Sequence, residues 1–181
     1  PFLAFLESQV AKQAPPPIGI QERYLHEFSV HQPFFDSLRE GYEGFNEWYL
    51  RAAQNQRKAW CISDDDTVKA ICMYKRANSL RIVDTGSPLD GDALKLCTFK
   101  IGPAVRGRKL GERLLFSAFK YAVEQYSPYV YLHTFGKEQA MLVSLCEDFG
   151  FQFAGKYKDR DDVYLKKMQP PKRQEAEVNP L

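Results

Sequence analysis

Apolar residues recur along this chain in two rhythms. In residues 110–126, Leu110, Leu114, Leu115, Ala118, Ala122 and Tyr126 return every three or four positions, which predicts a long amphipathic helix. Met141, Leu142, Leu145, Cys146 and Phe149 form a second stripe of that kind and predict a helix over about 137–149, with Gly150 placed to cap it. "PFFDSLREGYEGFNEWYLRAAQNQ" reads as two short helices, with Pro33 near a first turn and Gly41 and Gly44 as punctuation.

The other rhythm belongs to strands. "KAWCIS" and "TVKAICMYKRA", separated by Asp64, Asp65 and Asp66, predict a hairpin. Its acidic tip reads as a solvated turn, because three consecutive carboxylates cannot all face one ion, and no metal site is expected. "YLHEFSV" (24–30) predicts an opening strand, and "SLRIVDTG" (79–86) a continuation of the sheet. "ALKLCTFKI" (93–101) and "YVYLHTF" (129–135) are further strands, and "FQFAGKYKDRDDVYLKKM" closes the pattern as a hairpin turning near Asp159 to Asp162.

These elements fit one domain over residues 22–168. Residues 1–21, with Pro15 to Pro17, read as an N-terminal segment or a linker from an upstream domain. Residues 169–181, "QPPKRQEAEVNPL", read as a flexible tail. A 181-residue chain that is 44% apolar and 27% charged has the composition of a globular domain. Its net charge of +2 does not suggest a dedicated duplex-DNA binder. No apolar run approaches the ~20 residues of a membrane span. The cysteines Cys61, Cys72, Cys97 and Cys146 are too scattered for a zinc or redox motif and read as reduced thiols of a cytoplasmic protein.

"GPAVRGRKLGERLL" (102–115) carries the chemistry. A strand, a basic glycine-containing loop and a helix start form an anion-binding arrangement, because the first helical turn offers unpaired N–H groups and the positive end of the dipole. Gly107 and Gly111 leave room there, and Arg106, Arg108 and Lys109 add charge. The loop is neither GxxxxGK[ST] nor GxGxxG.

At "RGRKLG" (Arg106 to Gly111) and "LCEDFGF" (Leu145 to Phe151), the sequence resembles the GNAT family of N-acetyltransferases. The resemblance follows element order over residues 22–168, with specific motifs in about 95–112 and 130–151. It implies an α/β (α+β) fold: a mixed, mostly antiparallel central sheet with helices on both faces and a splayed central strand pair. It also implies acetyl-CoA as cosubstrate, with its pyrophosphate on the backbone amides of Arg108, Lys109, Leu110, Gly111 and Glu112. The pantetheine arm would then lie along the main chain of Phe99, Lys100 and Ile101, with the splay opening near Gly102-Pro103. Gln139 falls where the family often has an Asn that contacts the cofactor. Two positions depart from the pattern: Lys109 stands for the signature's first Gly, and Cys146 for a frequent proton-donating Tyr.

The implied reaction is direct attack of an amine on the thioester, helped by a backbone N–H near Ile101 at the developing oxyanion. A thiolate with a conjugate-acid pKa of about 8.5 can leave without a dedicated acid. Cys146, Tyr157, Tyr131 and water are the candidate acids. His133, Asp84 or a water chain are the candidate bases, His133 having an ordinary pKa of about 6.5. The resemblance places residues 33–50 beside the acceptor, where Asp36, Glu40, Glu43 and Glu47 could attract a cationic amine. That amine could belong to a small molecule, a protein or a tRNA. The alternatives are a non-catalytic acyl-CoA sensor and an RNA-associated acetyltransferase using "RGRK", "KYKDR" and "KKMQPPKR".

Overall fold

Seven strands make one sheet: β1 (Gln21–Tyr24), β2 (Lys58–Asp64), β3 (Thr67–Asn78), β4 (Asp92–Ile101), β5 (Tyr129–Thr134), β6 (Gln152–Tyr157) and β7 (Asp161–Lys167). This computed structural model describes residues 19–135 and 139–168; the predicted linker up to residue 18, residues 136–138 and the predicted tail lie outside that range. The strand order is β1-β2-β3-β4-β5-β7-β6. All neighbours are antiparallel except β4 and β5. A parallel pair needs a long crossover, and the helix α3 below supplies it.

Four helices cover the two faces: α1 (Asp36–Gly41), α2 (Phe45–Gln54), α3 (Leu110–Glu124) and α4 (Ala140–Asp148). Alternation along the strands decides which residues each helix meets. Leu94, Leu96, Val130 and Leu132 point one way, onto Leu110, Leu114, Leu115 and Ala118 of α3 and Cys146 of α4. Ala59, Cys61, Ile71 and Met73 point the other way, onto Phe45, Tyr49, Ala52 and Ala53 of α2. On that second face a smaller cluster of Ile82, Ala93, Tyr131 and Val163 lies beyond α2. The fold is therefore the mixed, mostly antiparallel sheet with helices on both faces that the family resemblance implies.

Two predicted strands are corrected. β1 occupies 21–24, and the chain then turns through a short 3-10 segment at Leu25–Glu27 instead of running extended to 30. Glu27 accepts the Tyr24 N–H at 2.7 Å, and the Tyr49 hydroxyl donates to the Leu25 carbonyl at 2.9 Å, so local bonding overrides β propensity. "SLRIVDTG" is a loop, closed by Ser79 N–H to the Gly91 carbonyl and Leu89 N–H to the Leu80 carbonyl. Ile82 plugs that loop into the core, and Asp84 accepts the N–H groups of Lys158 and Asp159, which ties it to the β6–β7 turn.

The sheet opens in its middle. β4 and β5 pair only from Ala93↔Tyr129 to Leu96↔Leu132; beyond that, β4 continues along β3 and β5 along β7. Met73 pairs with Thr98 but Tyr74 with Leu96, so Cys97 is the extra residue of a bulge. A bulge bends its strand and increases local twist. The splay thus begins at Cys97, not at Gly102-Pro103 as expected from the sequence.

Gly102 has a different task. A Cβ there would sit 2.8 Å from the Lys69 carbonyl oxygen, whose hydrogen bond from the Gly102 N–H is also 2.8 Å. Gly102→Ala is expected to destabilise the domain by about 1–3 kcal/mol. A urea midpoint equal to that of the unsubstituted protein would count against this packing.

Candidate active site

The splay leaves a cavity on each face of the sheet. One, of about 500 Å³, lies on the α3–α4 face. Phe99 and Ile101 of β4 form one wall, and Val105, Arg106 and Gly107 come from the loop. Lys109, Leu110, Gly111 and Glu112 bring in the start of α3, and Met141, Leu142 and Leu145 close the side at α4. Lys109 caps α3 from the left-handed region (φ 53°, ψ 29°), where the family signature has glycine. The N–H of Arg113 makes a 3.1 Å bond back to the Lys109 carbonyl. The N–H groups of Leu110, Gly111 and Glu112 precede it and have no partner within the helix. Gly107 has φ +77° with open space beside it, whereas a Cβ on Gly111 would lie 2.8 Å from Leu145 Cδ2.

Main-chain polarity on β4 follows from register. The Gly102 N–H bonds to the Lys69 carbonyl, so by alternation Lys100 and Thr98 are the residues whose backbone groups face β3. The N–H and C=O of Phe99 and Ile101 point the other way, into the splay.

The second cavity, of about 520 Å³, lies on the α1–α2 face. Tyr42, Glu43, Phe45, Glu47 and Trp48 form its outer wall, and Cys97 and Thr98 of the bulge, with His133 and Phe135, its inner one. Phe99 and Leu142 line both cavities, which therefore meet where β4 leaves β5. Gln139 fastens this region. Its Oε1 accepts the Phe135 N–H at 3.0 Å and its Nε2 donates to the Tyr42 hydroxyl at 3.1 Å.

His133 is the most informative titratable group here. Its side chain is 10% exposed, and Nδ1 lies 3.5 Å from Oδ2 of Asp161. Burial, then the charge of Lys95, push its pKa down to about 4, although Asp161 pulls upward. The ring is therefore neutral near pH 7. Asp161 is itself buried and receives Arg160 Nε at 2.7 Å. In the sequence Asp161 reads as a residue of the closing hairpin's turn. Its only signal lay in register: His133 pairs with Val163, and Asp161 is two residues away on the same face of β7.

Several predicted site residues sit elsewhere. The Lys100 side chain turns to the α1 face and donates to the Phe34 carbonyl and to Ser37 Oγ, and its backbone groups face β3, so Lys100 offers nothing to the splay, in contrast to its predicted place on the cosubstrate. The Arg108 side chain is exposed and lines neither cavity. Gln139 lines the α1–α2 cavity rather than the α3–α4 one. Cys146 is fully buried in the α3–α4 core, lines neither cavity, and has its thiol pushed up to about 12 by burial. Its place among packed side chains corrects its candidacy as a proton donor. Asp84 is held at the β6–β7 turn, away from both cavities. Of the acids after Pro33, Glu43 and Glu47 line the cavity, whereas Asp36 pairs with Arg39. Among the described residues no cluster suits a metal ion, and no helix is long and apolar enough to cross a membrane.

The pattern of the Acetyltransferase (GNAT) family matches residues 21–151. The chain belongs to that family. No curated protein matches it. Among solved structures, Ard1 from Thermoplasma volcanium is similar with a TM-score of 0.59 at 12% identity, covering 83% of this chain and 97% of its own. PaiA N-acetyltransferase from Thermoplasma acidophilum, solved with coenzyme A, has a TM-score of 0.51 at 17% identity over 75% and 78% of the two chains. NAA60 from Arabidopsis thaliana, in complex with a bisubstrate analogue, has 0.52 at 15% over 81% and 95%.

Proposed function

We propose that this protein is an acetyl-CoA-dependent N-acetyltransferase in which cosubstrate and amine approach from opposite faces of the sheet. One observation supports this most: the two cavities meet at Phe99 and Leu142, one offering a helix start with a basic loop and the other a neutral imidazole. The α3–α4 cavity fits a coenzyme A diphosphate by its donor set. It offers the free N–H groups of Leu110, Gly111 and Glu112, the open side of Gly107, and the cations of Arg106 and Lys109, which make no side-chain bonds to described residues. The backbone edges of Phe99 and Ile101 suit an extended amide-bearing arm, and the Ile101 N–H suits an oxyanion.

Acetyl-CoA brings the acyl group as a thioester. His133 accepts a proton from the attacking amine at the nitrogen not held by Asp161, and Asp161 positions the ring. No buried acid is required for a leaving thiolate. The four unpaired cysteines support a cytoplasmic setting.

Titration calorimetry with acetyl-CoA, desulfo-CoA and ATP tests the cradle, and release of free thiol across an amine panel tests turnover. Binding of both CoA species without turnover of any amine would instead make the domain a sensor. Arg106→Glu is expected to weaken acetyl-CoA binding at least tenfold and Arg108→Glu much less, since only Arg106 lines the cavity. Equal effects of the two would show nonspecific charge attraction instead.

A further inference from the structure

Lys75 and Lys95 stand directly opposite each other on β3 and β4. Their side chains share the α2 face with Met73, Cys97, Tyr131 and His133, by strand alternation. Like charges placed so oppose each other and destabilise the pair. A third cation, Arg57, enters from the turn after α2, with its guanidinium 5.8 Å from the centre of the Trp48 ring. The Lys95 ammonium lies 5.8 Å from the Tyr131 ring centre, and burial followed by the neighbouring cations lowers its affinity for a proton. None of the three makes a side-chain hydrogen bond or ion pair with a described residue. The acid that acts on Lys95, Asp161, is already engaged by His133 and Arg160.

These cations adjoin the α1–α2 cavity. Trp48, Cys97 and His133 line it, and the last two feel the charges of Lys75 and Lys95. The unpaired carboxylates of Glu43 and Glu47 lie at the other end of α2. Arg51, one turn after Glu47, also lines the cavity, so its α2 wall carries both signs, whereas Arg57, Lys75 and Lys95 stand outside the lining, past the end of that helix.

We propose that Arg57, Lys75 and Lys95 form an anion subsite behind the acceptor cavity, so that the acceptor is an amine carrying a carboxylate or phosphate. The assignment rests on the N-acetyltransferase reading for the amine, but the anion site stands apart from turnover. Because Cys97 is bulged, Lys95 and Phe99 face Lys75 and Cys72, only three residues apart on β3, about 10 Å of strand, and a lysine side chain recovers roughly half of that. The anionic group is thus several bonds from the amine, as in an ω-amino acid.

Calorimetry on the full chain, with and without CoA, tests this using matched probes: 5-aminopentanoate against pentylamine, and 5-aminopentyl phosphate against 5-aminopentanol. The anionic member of at least one pair is expected to bind tenfold or more tightly, and the matched thioester assay to show the same preference. If carboxylate or phosphate alone is selected, the result names the source of the charge. Lys75→Gln and Lys95→Gln are each expected to erase the preference while leaving thermal stability equal or higher, since repulsion is relieved. Binding without turnover would sink the catalytic reading and leave the subsite standing. Equal binding of both members of both pairs, preference retained in the two variants, or retention of RNA alone would overturn the subsite.

Discussion

Gly111→Val is expected to weaken acetyl-CoA binding at least 100-fold while the protein stays folded. A Cβ at this position would meet Leu145 Cδ2 at 2.8 Å, Ile101 Cδ1 at 3.4 Å and Phe99 Cε1 at 3.9 Å. Those three side chains line the α3–α4 cavity, so added carbons enter the space assigned to the cosubstrate. Valine also carries two γ carbons that cannot both avoid the walls, because β-branching restricts its rotamers. A hundredfold loss is about 2.7 kcal/mol, within what a displaced helix start and lost amide contacts can cost. Gly111→Ala supplies the graded control. Its single methyl meets the flexible end of Leu145, which can move aside, and the expected loss is only a few-fold. Calorimetric affinities for the two variants, beside their thermal midpoints, separate cavity filling from unfolding. Unchanged affinity in the valine variant would remove this cavity from the binding reaction.

Local patterns foretold local structure well. The three-to-four spacing of Leu110, Leu114, Leu115 and Ala118 became the buried stripe of α3, and the triple-aspartate turn joined β2 to β3 as expected. The basic loop was legible because a glycine-bearing turn before a helix has one strong physical meaning. What stayed hidden depended on register. Nothing in "ALKLCTFKI" shows that Cys97 is a bulged residue, since the extra residue exists only relative to Met73 and Tyr74. Gly102-Pro103 looked like the break because both residues punctuate strands, yet Gly102 serves a close backbone approach. "SLRIVDTG" has strand-like composition, but its buried Ile82 and the Asp84 staple hold it as a loop. The pairing of His133 with Asp161, and of Lys75 with Lys95, likewise required knowing which strands are neighbours. The family resemblance puts Gln139 on the cosubstrate side; its amide spans Phe135 and Tyr42 beside the other cavity.

His133→Gln is expected to lower kcat about 100-fold, the lower range for a general base, with little change in acetyl-CoA affinity. Asp161→Asn should lower kcat by about tenfold, because it leaves the imidazole in place but exchanges an acceptor-only carboxylate for an amide that can also donate and so no longer fixes the tautomer. The groups facing the ring are Asp161 from β7, Lys95 from β4, Lys75 from β3, and the Tyr131 and Tyr157 rings. Of these charges only Asp161 favours the protonated ring, so Asp161→Asn is expected to move the His133 pKa further below about 4, which NMR titration of the ring protons reads directly. A purely structural aspartate would leave that titration in place. The same depression fixes the sign of a stability effect. Between the unfolded value near 6.5 and the folded value of about 4, the unfolded chain binds more protons, so stability falls as pH drops through this interval. At 1.36 kcal/mol per unit the contribution is about 3 kcal/mol, present in full above pH 6.5 and lost by about pH 4. His133→Gln should flatten that acid limb of the urea-midpoint profile. If it instead left the limb unchanged while kcat held at the unsubstituted level, the imidazole would be neither the buried neutral group described nor the proton acceptor.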